Sequence, residues 1–95
     1  MHETAEARLK RLSMRSWRRG TKEMDLILGP YSDAHLAGMD AADLALYDRL
    51  LNENDQDLIT WVLGQPDLPT APPKDLSLLV VRIAAFARSR MAPKT

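Results

Sequence analysis

Between Arg18 and Leu28 the chain reads Arg-Arg-Gly-Thr-Lys-Glu-Met-Asp-Leu-Ile-Leu, so a basic segment stops at a glycine and an acidic, apolar segment begins. No other stretch limits the fold as tightly. The residues before Gly20 have helical spacing, and just past a helix end the left-handed conformation favours glycine. Thr21 can then cap a second helix. Arg18 and Arg19 fall near the negative end of the first helix dipole, and Glu23 and Asp25 in the first turn of the second, near its positive end. A helix-helix corner is expected. Its charges have two readings, which stay open: they finish two helix ends, or they show opposite charges and bare backbone to a partner.

Apolar periodicity on both sides of this corner predicts an all-α fold, a compact five-helix bundle in a single domain, with helices at about 3–19, 21–37, 40–52, 54–64 and 75–91. On the first helix Ala5, Leu9, Leu12 and Ser16 share one face. Arg8, Arg11, Arg15 and Arg18 form a basic stripe on another, either a solvated face or a docking strip for an acidic surface or cofactor phosphates. Trp17 reads as a core or corner anchor, or as an interface residue. On the second helix Met24, Ile27, Leu28, Tyr31 and either Leu36 or His35 face inward, with Gly38 closing it. Gly29-Pro30 should kink or break it, with a fresh start at Ser32-Asp33. Asp40, Asn54 and Asp75 are expected to cap the last three helices. Gly64 ends the fourth, and residues 65–74, with four prolines, form a stiff connection. Leu76, Leu79, Val80, Ile83, Phe86 and Ala87 make the inner stripe of the fifth helix, with Arg82, Arg88 and Arg90 outside.

Ninety-five residues suffice for one core. The chain has no cysteine, which excludes disulfides, zinc-thiolate sites and thiol nucleophiles. No apolar run approaches the roughly 20 residues that cross a bilayer, so no membrane insertion is expected. Glu3 and Glu6 are wrong for a mitochondrial presequence, which favours a bacterial cytoplasm. Net charge is zero but arranged in blocks, +5 over residues 1–22, −9 over 23–67 and +4 over 68–95. Basic outer helices should therefore lie against an acidic middle. That middle repels phosphates, and no recognition helix is evident, so nucleic acid is not an expected partner. His2 and His35 stand alone, and four glycines at helix ends make no phosphate cradle, so neither catalysis nor a metal site is expected.

Arg19-Gly20-Thr21-Lys22-Glu23 matches an Arg-Gly-x-x-Glu motif, and further segments follow in order: Leu44 to Glu53, then Asp57-Leu58 and Trp61, then a last helix rich in Leu, Val and Arg. Together, over roughly residues 8 to 90, they resemble the succinate dehydrogenase assembly factors. The resemblance implies a non-enzymatic chaperone that promotes covalent attachment of FAD to a histidine of the flavoprotein subunit, with fumarate reductase flavoprotein as a further candidate client. It implies no cofactor of the chain's own, FAD belonging to the client. Arg19, Gly20 and Glu23 carry over from the motif as partner-binding residues. Arg8, Arg11, Trp17 and Asp25 join them from the stripe and the corner. The alternative is a generic helical protein-protein adaptor or an antitoxin-like regulator.

Overall fold

A computed structural model describes residues 3–63 and 71–91. Helix α1, Ala5–Trp17, starts where the Thr4 hydroxyl accepts the Ala7 N–H at 3.0 Å. Leu12 and Ser16 are buried and Leu9 packs beside them, whereas Ala5, expected on the same face, lies beyond the core and is exposed. Ser16 is a polar residue in an apolar setting, and its bonds explain how. Its hydroxyl donates to the Leu12 carbonyl at 2.8 Å, so the 2.6 Å contact with Tyr47 has the phenol as donor.

Helix α2, Lys22–His35, is unbroken. The expected interruption at Gly29-Pro30 is absent, for two physical reasons. The usual clash between a proline ring and the preceding residue involves that residue's Cβ, which Gly29 lacks. Beyond Pro30 the Ser32 hydroxyl donates to the Gly29 carbonyl at 2.7 Å, and Tyr31 is held between Tyr47 and Phe86, with ring centroids 6.1 and 5.3 Å away. Packing thus overrides a local breaker. Met24, Ile27, Leu28 and Tyr31 are buried as expected. The helix ends in a 3-10 turn, Leu36–Gly38, in which Leu36 takes the inward place and His35 stays exposed against the Tyr31 and Phe86 rings.

Asp40 caps α3, Ala41–Leu50, and Asn54 caps α4, Asp55–Leu63, by accepting the N–H groups of Asp43 and Asp57 at 2.8 and 2.9 Å. Helix α5, Ser77–Met91, differs from expectation at its start. Asp75 does not cap it: a 3-10 turn, Lys74–Leu76, leads in, and the Asp75 carboxylate pairs with Arg49 instead. Gly64, Pro66, Pro69 and most of the proline-rich connection, like His2 and residues 92–95, lie outside the described residues.

Among the described residues there are thus five α-helices and no strand. Helix α2 sits at the centre, touching α1, α4 and α5, and its strongest partner is α1. The core joins Leu12, Met24, Leu28, Tyr47, Leu58 and Ile83, each buried completely. Arg82, Arg88 and Arg90 line the outside of α5 as the spacing predicted.

Gly29 has a second use. A Cβ there would come within 2.3 Å of Cδ2 of Trp17, whose ring lies flat against the glycine. Gly29→Ala should therefore push the indole away and destabilise the fold by about 1–3 kcal/mol. In a Trp17→Ala background the same change should cost less, because only the clash between the new Cβ and the Pro30 ring remains. Urea unfolding of the four proteins measures the difference.

Burial pushes the Tyr47 hydroxyl from its ordinary value near 10 up to about 12. The folded chain holds that proton more tightly, so this stabilising contribution is complete below pH 10 and is lost as pH rises through about 12. In alkaline titrations of stability Tyr47→Phe should flatten the decline in that window. Buried Tyr31, shifted the same way, leaves a residual slope.

Candidate functional site: a braced corner with two hollows

The corner is residues 18–21, between the end of α1 and the start of α2. Gly20 does not adopt the left-handed conformation expected of it. Its lack of a side chain serves a close approach instead, since a Cβ would stand 3.2 Å from Oδ2 of Asp55. Nor does the Thr21 side chain cap α2. Its hydroxyl reaches toward the same Oδ2, at 3.4 Å, and the Asp25 carboxylate, in the first turn of α2, accepts the Arg19 backbone N–H.

Arg19 is the centre of the arrangement. Its Nε donates to Oδ1 of Asp55 at 2.8 Å, one terminal nitrogen to the Leu51 carbonyl and the other to the Glu53 carbonyl at 2.6 Å. The side chains of Arg19 and Asp55 keep only 11% and 14% of their surface, so the pair is largely withdrawn from water. Carbonyls at the end of a helix lack intrahelical partners, and a guanidinium placed there satisfies them and favours the negative end of the dipole. Arg19 thus clamps the turn between α3 and α4 onto the corner.

Two further arginines extend the clamp along α1. Arg15 donates to the Leu51 carbonyl at 3.0 Å, to the Asn52 side chain at 3.1 Å and to Asp48 at 3.2 Å. Arg11 grips Asp48 with both terminal nitrogens, at 3.2 and 2.9 Å, and reaches Glu3 on its other side. The Arg11 guanidinium holds the Asp48 carboxyl below its ordinary range and is itself held charged by Glu3 and Asp48. The sequence left the stripe as either solvated or docking; Arg11 and Arg15 have a third role, closing the bundle against its acidic middle. Arg8 is half-buried with Glu3 and Asp48 in its field, and Arg18 is exposed.

The residues singled out from sequence therefore fall into two layers. Arg11, Arg19 and Asp25 lie behind the corner in internal contacts, while Gly20, Glu23 and Trp17 are exposed. Among the described residues Glu23 has no recorded hydrogen bond or ion pair. Trp17 keeps 41% of its surface and donates from Nε1 to Asp33 at 3.3 Å. A polar hollow of about 350 Å3 opens between Arg15, Arg18, Gly20 and Asp55. Glu23 and Trp17 also share the rim of a larger apolar groove. Sequence reasoning missed Asp55, which it did not single out, and Gly29, read only as a breaker. A two-residue pattern, glycine opposite an exposed tryptophan, carries no signal until α1 and α2 are laid together.

This geometry defines a class, an all-helical module with a corner braced by ion pairs and main-chain bonds, and no group of three or more acidic or histidine residues able to hold a metal ion occurs among the described residues. A family model described as flavinator of succinate dehydrogenase matches residues 10–87. Succinate dehydrogenase assembly factor 2, mitochondrial, of Scheffersomyces stipitis is 38% identical over 72 residues, 76% of this chain and 48% of that protein. Its counterpart in Meyerozyma guilliermondii is 36% identical over 70 residues, 74% of this chain and 52% of that protein. The protein of the same name from Aspergillus flavus is 41% identical over 56 residues, covering 59% of this chain and 19% of that one. The chain belongs to the flavinator of succinate dehydrogenase family. It spans about half the length, or less, of these relatives.

Breaking a withdrawn ion pair from one side leaves the other charge unmatched, which costs about 3–5 kcal/mol when burial is complete. Some solvent reaches this pair, so Arg19→Ala should cost about 3 kcal/mol, and Asp55→Ala a similar amount. The double variant should be less unstable than the sum, with a coupling above about 1 kcal/mol. Urea denaturation of the cycle measures it.

Proposed function

We propose that this chain is a non-enzymatic assembly factor that promotes covalent attachment of FAD to the flavoprotein subunit of succinate dehydrogenase. The observation that carries the proposal is the corner itself: Arg19, Gly20 and Glu23 lie within the matched family region, and bracing behind them leaves the Gly20 backbone and the Glu23 carboxylate facing outward. A surface fixed in advance loses little conformational freedom on binding. Gly20 lets a client backbone come close, Glu23 offers a directional charged contact, and Arg18 supplies the opposite charge beside the polar hollow. Arg19, Arg11 and Asp25 act as positioning residues, and Trp17 and Arg8 extend the contact surface on either side.

The mechanism proposed is physical. Bound to the client, the helical body holds the flavoprotein's domains so that the flavin methyl group meets the histidine it bonds to, and charged groups stabilise the electron-rich flavin on the way. FAD is the client's cofactor on this reading, and the chain holds none of its own. Fumarate reductase flavoprotein is proposed as a second client and should be assayed in parallel. The proposed compartment remains a bacterial cytoplasm. The relatives' names place those proteins in mitochondria, and no helix among the described residues is long and apolar enough to cross a membrane.

Deleting the gene should lower flavin fluorescence on the denatured succinate dehydrogenase flavoprotein. Restoring the intact chain should recover it, and Glu23→Ala should not, although its helicity and thermal midpoint match the parent because Glu23 is exposed. Gly20→Arg should fail as well, with some loss of stability where the new side chain crowds Asp55. Covalent flavin that stays at parental levels in the deletion strain under several growth conditions would overturn the proposal.

A further inference from the structure

Trp17, Leu26 and Leu63 expose apolar surface around one groove next to the corner, as Leu78 and Val81 do elsewhere on α5. Leu26 and Leu63 keep 56% and 40% of their area and, with Trp17, Ile27, Pro30 and Phe86, wall a groove of about 430 Å3. Large apolar side chains grouped in this way mark a surface that another molecule covers. The Trp17 wall is fixed on two sides, by the bare Gly29 backbone beneath the ring and by the bond from Nε1 to Asp33. Preset walls of this kind suit a hot spot, where a rigid aromatic anchor costs little entropy to bury.

The rim is charged with opposite signs at different places along α2. Glu23 stands at the first turn. Arg90 borders the groove and also a neighbouring hollow with Pro30, Asp33 and Ala34, two turns further on, roughly 10 Å along the axis at the rise of an α-helix. Its guanidinium is steadied over the Phe86 ring, 5.6 Å from the centroid. Glu23 belongs at once to the corner and to this groove, so the apolar surface continues the proposed contact surface without a gap.

We infer that the groove between α2 and α5 receives an apolar segment of the client flavoprotein, carrying a basic residue that meets Glu23 and, about two helical turns away, an acidic residue that meets Arg90. The inference rests on the assembly-factor reading and adds to it a second contact with a stated chemistry. Trp17 and Leu26 clasp the apolar part, and the two charges set its direction, since the reversed segment would put like charges together.

The test uses the full chain and the purified flavoprotein subunit before flavinylation. With a photo-reactive benzoylphenylalanine at position 26, irradiation should give an adduct whose client peptide is apolar and has charges of the stated order. Leu26→Asp and Arg90→Glu should each weaken binding about tenfold or more, with the thermal midpoint kept, because both residues are exposed. Adducts only between two copies of the chain, or within one chain, overturn the inference, and so does parental affinity in both variants. The two proposals fail differently. If Glu23→Ala loses flavinylation while Leu26→Asp and Arg90→Glu bind and flavinylate as the parent does, the groove falls and the corner stands. If the deletion strain keeps its covalent flavin, the assembly reading falls and the groove inference with it.

Discussion

A guanidinium set between helix ends must find an acceptor for each of its nitrogens, or its desolvation outweighs what it returns. Arg19 meets that condition with one carboxylate and two main-chain carbonyls, and the rest of the molecule is arranged so that it can. Helix α1 has to end at Trp17 for Arg19 to leave the helix surface, Gly20 must be bare for Asp55 to come close, and the α3–α4 turn must lie across the corner. Arg15 and Arg11 repeat the interaction one and two turns back. A polar seam thus joins the α3–α4 turn to α1 alongside the apolar core.

This seam also sets the place of the exposed residues of the corner. The backbone at Gly20 and Glu23 is set by the charge-assisted bonds behind it, of which the Arg19–Asp55 pair is the one most withdrawn from water and salt. Bracing and the proposed contact surface are thus two sides of one stretch of chain. The inner side chains fix the shape that the outer ones present.

Much of this was legible in the sequence. Five helices, their apolar stripes and the caps at Asp40 and Asn54 follow from periodicity and short-range chemistry, which act within a few residues. The blocks of charge also foretold that basic α1 would meet an acidic middle. What could not be read was which acid meets which arginine: Asp55 lies 36 residues from Arg19, and helical spacing gives faces without saying what covers them. Local rules misled wherever a tertiary contact was stronger. Gly20 looked like a left-handed helix stop and proved to be a clearance for a carboxylate. Gly29-Pro30 looked like a break, yet buried Tyr31 and the Ser32 bond carry α2 through it. Asp75 had the form of a cap but found Arg49 across the bundle. Within the candidate site the exposed charges could be named in advance, whereas the groove could not, because Trp17, Leu26 and Phe86 belong to three helices whose neighbourhood only the folded chain reveals.

Of the oxygens that Arg19 holds, those of residues 51 and 53 are main-chain atoms, present whatever side chain stands there. Position 53 is consequently free to change its identity over generations without loosening the joint, so long as the chain keeps its path. Residue 55 has no such freedom: it grips through its own carboxylate, and even the one-carbon lengthening to glutamate would shift both oxygens in a space already bounded by Gly20. Drift at one site and fixity two places later is the pattern that this joint should leave among descendants of the chain.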